Sequence, residues 1–151
     1  MNWLIAAFIC LAAIVAEGLL SGDASKALRS IKQPSWALPL PAWIVIGLIY
    51  YAASFAALFR LLAGGLERPF AAAAFAALIA VLAANAAFNW IFFKRRDFRA
   101  SFYYYFPYLA LVATLIALLM QVDTLAAAMF LAYACYLPYA LAWSYRVWKL
   151  N

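Results

Sequence analysis

Residues 70–93 read FAAAAFAALIAVLAANAAFNWIFF, an apolar stretch that contains no charged side chain. A helix that crosses the hydrocarbon core of a bilayer needs about 20 mostly apolar residues, so this stretch is long enough to span a membrane. Four further stretches resemble it, and charges, Pro or Gly mark the breaks between them. They cover residues 3–20, 42–62, 100–122 and 124–148. The sequence therefore predicts an all-α membrane protein, with residues 1–151 forming a single five-transmembrane-helix bundle.

The composition supports this class of protein. The chain has 151 residues, of which 72% are apolar and 11% are charged. Soluble domains are about 45–50% apolar and about 25% charged, so an ordinary soluble domain is excluded. There is no His, which excludes catalytic triads that use His, zinc sites built on His pairs and a His-ligated haem. We predict no metal site and no catalytic residues.

The basic residues fall unevenly on the two sides of such a bundle. Because five spans make the loops alternate across the membrane, only Arg60 and Arg68 lie on one side. Cytoplasmic loops carry an excess of Lys and Arg, so we predict that the N-terminus is outside and the C-terminus is cytoplasmic, in a bacterial inner membrane. The bilayer accounts for the net charge of +6, and no nucleic-acid partner is expected. The other side holds Lys26, Arg29, Lys32, Lys94, Arg95, Arg96, Arg99, Arg146 and Lys149.

Residues 21–41 form the only long connection between spans. It carries three basic residues and closes with Pro34, Pro39 and Pro41. Ser25 is a suitable N-cap for a short helix before this Pro-rich part, which favours extended backbone. We therefore predict a short surface helix that begins at Ser25.

Two amides stand out in the third span. Asn85 and Asn89 are four residues apart and share one helix face. An amide without a partner is costly in hydrocarbon, so both side chains must face protein or a cavity. One interpretation is an interhelical hydrogen bond that fixes the bundle. The other is the polar part of a ligand pocket that Phe88 also lines.

A stripe of alanines repeats every fourth residue along the same span. Small residues at this spacing let two helix backbones approach closely. The stripe is a candidate seam for a homodimer, and it could equally pack inside one subunit. Its members are Ala72, Ala76, Ala80 and Ala84.

Near the C-terminus, Leu141, Tyr145 and Lys149 fit a loose sterol-binding pattern. An aromatic and basic anchor at a membrane face would have the same sequence. Glu17, in the last turns of the first span, is expected to reach the interface. A proton-coupled exporter that uses Glu17 is a weaker hypothesis for this reason.

Four stretches carry motifs that are informative in combination. The first is KQPSWALPLPAW at 32–43, and the second is NAAFNWIFF at 85–93. The third runs over 123–136, and the fourth is ALAWSYRVWKLN at 140–151. In this order they resemble the translocator protein family, also called tryptophan-rich sensory proteins or peripheral benzodiazepine receptor homologues. The resemblance covers nearly the whole chain.

The resemblance implies a pocket among the helices, covered by residues 21–41, which we call the lid loop. Members of this family bind tetrapyrroles and, in some cases, sterols or synthetic ligands. Some bacterial members are thought to degrade porphyrin in light through Trp residues of the pocket. Here Ile46 and Tyr136 occupy two of those Trp positions, and Phe88 occupies the Trp position of the third helix. We therefore expect no enzymatic activity.

Two hypotheses follow. The first is a membrane receptor for a flat apolar ligand, a porphyrin or haem-like tetrapyrrole or a pigment intermediate, with a transport or regulatory role and no required cofactor. The second is an accessory or assembly subunit that docks on a larger membrane complex, such as a pigment–protein complex. Lys or Arg of the lid loop would meet the ligand's propionates. The residues expected to bind it are Trp36, Trp43, Tyr50, Asn85, Phe88, Asn89, Tyr133 and Tyr136.

Overall fold

A computed structural model describes residues 1–151, and it is helical throughout. Five helical segments are long and apolar enough to cross a membrane, as predicted. Each begins and ends within a few residues of its expected bounds. The helices are α1 (Asn2–Ser21), α2 (Ala24–Ser30), α3 (Leu40–Gly64), α4 (Ala71–Asn89), α5 (Phe98–Val122), α6 (Thr124–Ala134) and α7 (Leu137–Leu150).

The last turn of the third span is wider than a turn of α-helix. After Asn89 the chain continues through a π-helical turn, Trp90–Lys94, in which the backbone N–H of Arg95 donates to the carbonyl of Trp90. Such a turn inserts an extra residue and rotates the side chains that follow it. Phe92 and Phe93 lie on this turn and both line the cavity described below.

The fifth span consists of α6 and α7, which are separated by a break at Cys135 and Tyr136. Pro138 is the second residue of α7. Proline has no N–H to donate to the carbonyl four residues earlier, and its ring clashes with that carbonyl. The residues on both sides of the break, Tyr133, Tyr136 and Leu137, line the cavity.

The short helix of the lid loop is present, but its predicted cap is wrong. Helix α2 begins at Ala24, and the Asp23 carboxylate accepts a hydrogen bond from the backbone N–H of Lys26 at 2.9 Å. Ser25 already lies in the first turn, where its side chain cannot serve as N-cap. Asp and Ser are equally good caps, so propensity alone does not choose between the two positions.

Contacts at the ends of the bundle establish which loops share a side. The Lys32 backbone and the Asn151 side chain exchange two hydrogen bonds of 2.9 Å, and Arg96 donates to the Ser30 hydroxyl. The lid loop, the turn between α4 and α5 and the end of α7 therefore meet at one end of the bundle. Asn2 lies at the other end, where its amide donates to the carbonyl of Leu62. The cytoplasmic assignment of the end with the lid loop stays a prediction.

The exposure of the alanine stripe shows whether it packs inside one subunit. Ala72, Ala76 and Ala80 are exposed, so packing inside one subunit does not account for them. Ala84 is half-buried, and its carbonyl accepts a hydrogen bond from the Tyr104 hydroxyl. The homodimer seam stays a prediction.

At the end opposite the lid loop, Asp123 joins α3, α5 and α6. Its carboxylate accepts from the backbone N–H of Ala126 at 3.0 Å, which caps α6, and from Arg60 Nε at 2.6 Å. Burial alone would raise the pKa of this carboxyl, but the Ala126 hydrogen bond and the Arg60 guanidinium outweigh burial and lower it. A carboxyl with a lowered pKa stabilises the folded state above its unfolded pKa, and that contribution is lost as the pH falls through the folded pKa.

We expect Asp123→Ala to destabilise the protein by about 1–2 kcal/mol, because a lost N-cap costs about 1 kcal/mol and a partly exposed ion pair adds less. Asp123→Asn keeps the cap, since Asn caps as well as Asp. The Asn variant should therefore lose only the stabilisation by the ion pair with Arg60, which is the smaller and pH-dependent contribution. Thermal unfolding in detergent, compared at neutral and acidic pH, measures both variants. Equal stability of the Ala variant and the wild type would contradict the expectation.

Candidate ligand-binding cavity

A cavity of about 350 Å³ lies between the membrane-spanning helices and beneath the lid loop. It is lined by 23 residues, of which 18 are hydrophobic. The helices α1, α3, α4 and α5 and the broken fifth span all contribute to its wall. A concave, mainly apolar space with a few polar groups is typical of small-molecule sites, and this volume is near the lower end of their range.

Seven of the eight residues expected to bind ligand lie on the wall of this cavity. Trp36 does not. Its ring lies in the turn before α3, 44% exposed, and packs edge-on against Tyr139 with ring centroids 5.5 Å apart. Trp36 therefore lies in the lid loop and not on the cavity wall, and its contact with a ligand stays a prediction. The seven lining residues are Trp43, Tyr50, Asn85, Phe88, Asn89, Tyr133 and Tyr136.

Aromatic rings form most of the wall. In one group Phe88 stacks with Phe92, at 5.8 Å between centroids, and contacts Tyr105 at 5.0 Å. A second group adjoins it, in which Trp43 lies 4.8 Å from Trp143 and 6.0 Å from Tyr136, and Trp143 lies 5.1 Å from Phe92. These rings offer both faces and edges to a flat aromatic guest.

The sequence reasoning missed the contribution of α5. Tyr105 and Tyr108 are buried and line the cavity, as does Tyr104. The run of three Tyr at residues 103–105 resembles an interfacial belt, and only exposed Tyr103 fits that description. The spacing of Ser101, Tyr105 and Tyr108 on one helix face was the available signal.

Two polar atoms of the wall have no hydrogen-bond partner in the protein. They are the Tyr50 hydroxyl and Trp143 Nε1, and both side chains are 3% exposed. A nearby pair, Tyr108 and Tyr133, is satisfied by a mutual hydrogen bond of 2.9 Å. Buried donors are usually paired. Both atoms are covered by neighbouring side chains, so they mark places where the wall is imperfectly satisfied and are not open to a ligand.

Asn85 combines the two roles that the sequence left open. Its amide donates to Glu17 Oε2 at 2.9 Å, an interhelical hydrogen bond, and its side chain also lines the cavity. Asn89 bonds within its own helix, where its amide donates to the carbonyl of Asn85 at 3.0 Å. Only Asn85 therefore ties two helices together.

The expected position of Glu17 is also corrected. It does not extend to the interface. It lies half-buried on the cavity wall, where the Tyr51 hydroxyl donates to Glu17 Oε2 at 2.5 Å. Its depth results from the packing of α1 against α3 and α4.

The cavity opens beside the first turns of α3. Leu40 and Ile44 line it and are also 37% and 56% exposed. The lid loop contributes Ala24 and Leu28 to the wall, whereas the basic side chains of α2 are exposed and outside it. The expected contact between those cations and ligand propionates stays a prediction.

The C-terminal pattern of Leu141, Tyr145 and Lys149 lies outside the cavity. Lys149 Nζ sits 5.6 Å from the centre of the Tyr145 ring and 4.0 Å from that of Trp148. Cation–π contacts of this kind on an exposed face fit an anchor at a membrane interface. A sterol-binding role stays a prediction.

Comparison with known proteins gives one family. A model of the TspO/MBR family matches residues 6–149, nearly the whole chain. No curated protein matches the sequence.

Proposed function

The chain belongs to the TspO/MBR family, and from this premise we propose that its cavity binds a flat, largely apolar ligand, a tetrapyrrole such as a porphyrin or a pigment intermediate. The family and the five apolar helices make it an integral, multi-pass membrane protein with a general ligand-binding or transport role. The observation that supports the ligand class is the aromatic wall of the cavity.

The shape of the cavity suggests how such a ligand would bind. Because the volume is small for a macrocycle, the ring would enter edge-on and leave its polar rim in the mouth. There the propionates of a porphyrin would lie near Lys26 and Arg29, which are exposed beside the lining residues Ala24 and Leu28. The buried edge would gain apolar burial and ring contacts.

We further propose that the protein is a receptor or carrier and has no enzymatic activity, and that it requires no cofactor. Ile46 and Tyr136 both line the cavity, where the family resemblance implies Trp. Without those indoles, illumination of the protein with bound porphyrin should leave the Soret absorbance unchanged relative to porphyrin in empty nanodiscs. Faster bleaching in the presence of protein would contradict this part of the proposal.

Titration with protoporphyrin IX tests binding. With the protein in phosphatidylcholine nanodiscs, we expect saturable quenching of Trp fluorescence at one porphyrin per chain, because Trp43 and Trp143 lie on the wall. Empty nanodiscs and an unrelated Trp-containing membrane protein control for partitioning into lipid. Quenching that rises linearly without saturation, and equally in the unrelated protein, would contradict the proposal.

A second function is supported by the outer surface. The exposed stripe of Ala72, Ala76 and Ala80 permits close approach of another helix. The partner would be a second copy of the chain or a larger membrane complex, in a bacterial inner membrane. Co-purification in mild detergent at fixed stoichiometry would support this accessory role. Purification as a lone chain that still binds porphyrin would favour the receptor.

A further inference from the structure

Glu17 is the only charged residue among the 23 that line the cavity. It lies in the last turns of α1, and its carboxylate contacts Tyr51 and Asn85, the lining residues of α3 and α4 farthest from the lid loop. An ionisable side chain inside a membrane-spanning bundle is costly and generally serves a function. The partner of its charge therefore has to be identified.

The protein itself supplies no such partner. The Tyr51 hydroxyl and the Asn85 amide both donate to Oε2, and no protein group donates to Oε1. The one ion pair of the chain, Arg60–Asp123, lies at the end of the bundle away from the lid loop. Glu17 thus presents one oriented, partly solvated carboxylate oxygen and an unneutralised charge to the cavity.

We propose that Glu17 is the polar anchor of the ligand and that it selects a flat aromatic ligand with a protonated amine or an N–H donor on its buried edge. This inference rests on the proposed function and adds the charge of the ligand to it. A charge-assisted hydrogen bond to a carboxylate is stronger than a neutral one, and low dielectric in a protein-lined cavity strengthens it further.

The same geometry disfavours other ligands. A carboxylate placed on the buried edge would face Glu17 at close range, and like charges repel strongly where water is scarce. Acidic groups are then restricted to the mouth beside the cations of α2. Among tetrapyrroles, an open-chain pigment whose pyrrole N–H groups are available at an edge fits better than a closed ring, whose N–H groups point to its centre.

A role in packing alone explains only part of the arrangement. The hydrogen bonds to Tyr51 and Asn85 tie α1 to α3 and α4, and they use only Oε2. An uncharged Gln could accept the same two bonds through its carbonyl oxygen without placing a charge in the cavity. The effect of Glu17→Gln on ligand charge selectivity therefore separates the two roles.

The test uses two flat probes with the same ring. Acridine is neutral at pH 7, whereas 9-aminoacridine is a cation with N–H donors, and both are fluorescent. In phosphatidylcholine nanodiscs, we expect the wild type to bind 9-aminoacridine about tenfold or more tightly than acridine, the gain typical of one charge-assisted hydrogen bond. Glu17→Gln should remove this preference by weakening the binding of 9-aminoacridine about tenfold. A thermal unfolding midpoint in detergent equal to that of the wild type shows that the variant is folded.

Glu67→Gln is the matched control, because Glu67 is exposed in the loop between α3 and α4 and does not line the cavity. It should retain the wild-type preference. Acridine binding with no preference for the cation, or a preference that survives Glu17→Gln, would overturn this inference alone. If the wild type binds neither acridine nor protoporphyrin IX, the proposed function itself is overturned.

Discussion

Replacing Gly47 by Trp is expected to lower the affinity for protoporphyrin IX by about a hundredfold or more, since a ligand excluded from the cavity loses several kcal/mol of apolar burial. Gly47 lines the cavity, and a Cβ atom built on it meets no other atom within 4 Å. An indole there would occupy space that the ligand needs. The measurement is the titration of Trp quenching and Soret absorbance in nanodiscs.

The position of Gly47 on α3 makes this effect specific. The residues of α3 that line the cavity recur at helical spacing, and Gly47 lies at the centre of the stripe. Its neighbours on this face are large, so the missing side chain leaves room between them. The other members of the stripe are Leu40, Trp43, Ile44, Ile46, Tyr50 and Tyr51.

Gly18→Trp provides a matched control. Gly18 also lies within a membrane-spanning helix, and a Cβ atom on it likewise meets nothing within 4 Å, but it does not line the cavity. Both variants add the same side chain to an open position, so a difference between them reports on the cavity. Equal affinities of the Gly47→Trp variant and the wild type would show that porphyrin binds elsewhere.

Hydropathy predicted the fold because a bilayer limits the possibilities so strongly. Backbone polar groups have no water to bond in hydrocarbon, so each apolar stretch of sufficient length must form a helix. The break of the fifth span before Pro138 is predictable for a similar reason, since the N–H that proline lacks is a local property. The cap of α2 was not, because Asp23 and Ser25 are equivalent by propensity.

The site was less predictable, and the physical reason differs from one residue to the next. In a membrane the lipid-facing side of a helix is as apolar as the side facing its neighbours, so periodicity does not reveal which face lines a cavity. Tyr105 and Tyr108 were therefore not distinguished from exposed Tyr103. Asn85 could be recognised as facing protein or a cavity, because an amide that faces lipid without a partner costs free energy in any fold.

The position of Glu17 along α1 did not predict the surroundings of its carboxylate. Its place near the end of α1 suggested that its carboxylate reaches the interface, as long charged side chains do. Its actual surroundings depend on how α1 packs against α3 and α4, where Tyr51 and Asn85 both donate to it. Contacts between residues 34 and 68 positions apart cannot be read from local sequence.

Phe88→Ala is expected to weaken porphyrin binding by about 2 kcal/mol, near thirtyfold, because it removes one aromatic face from the wall. Phe88 also holds Phe92 and Tyr105 at 5.8 and 5.0 Å between ring centroids. Its loss therefore widens the cavity and loosens the neighbouring rings. Tyr136→Ala should have a similar effect at another part of the wall, where Tyr136 contacts Trp43 at 6.0 Å.

Phe8→Ala is the control for truncation of an aromatic ring, since Phe8 is 72% exposed on α1 and lies outside the cavity. The affinity of the Phe8→Ala variant for protoporphyrin IX should equal that of the wild type. Retained affinity in both the Phe88 and the Tyr136 variants would mean that the aromatic wall does not contact the porphyrin. Weakened binding in only one of them would instead show on which side of the cavity the macrocycle lies, because the two rings belong to different helices, α4 and the break between α6 and α7.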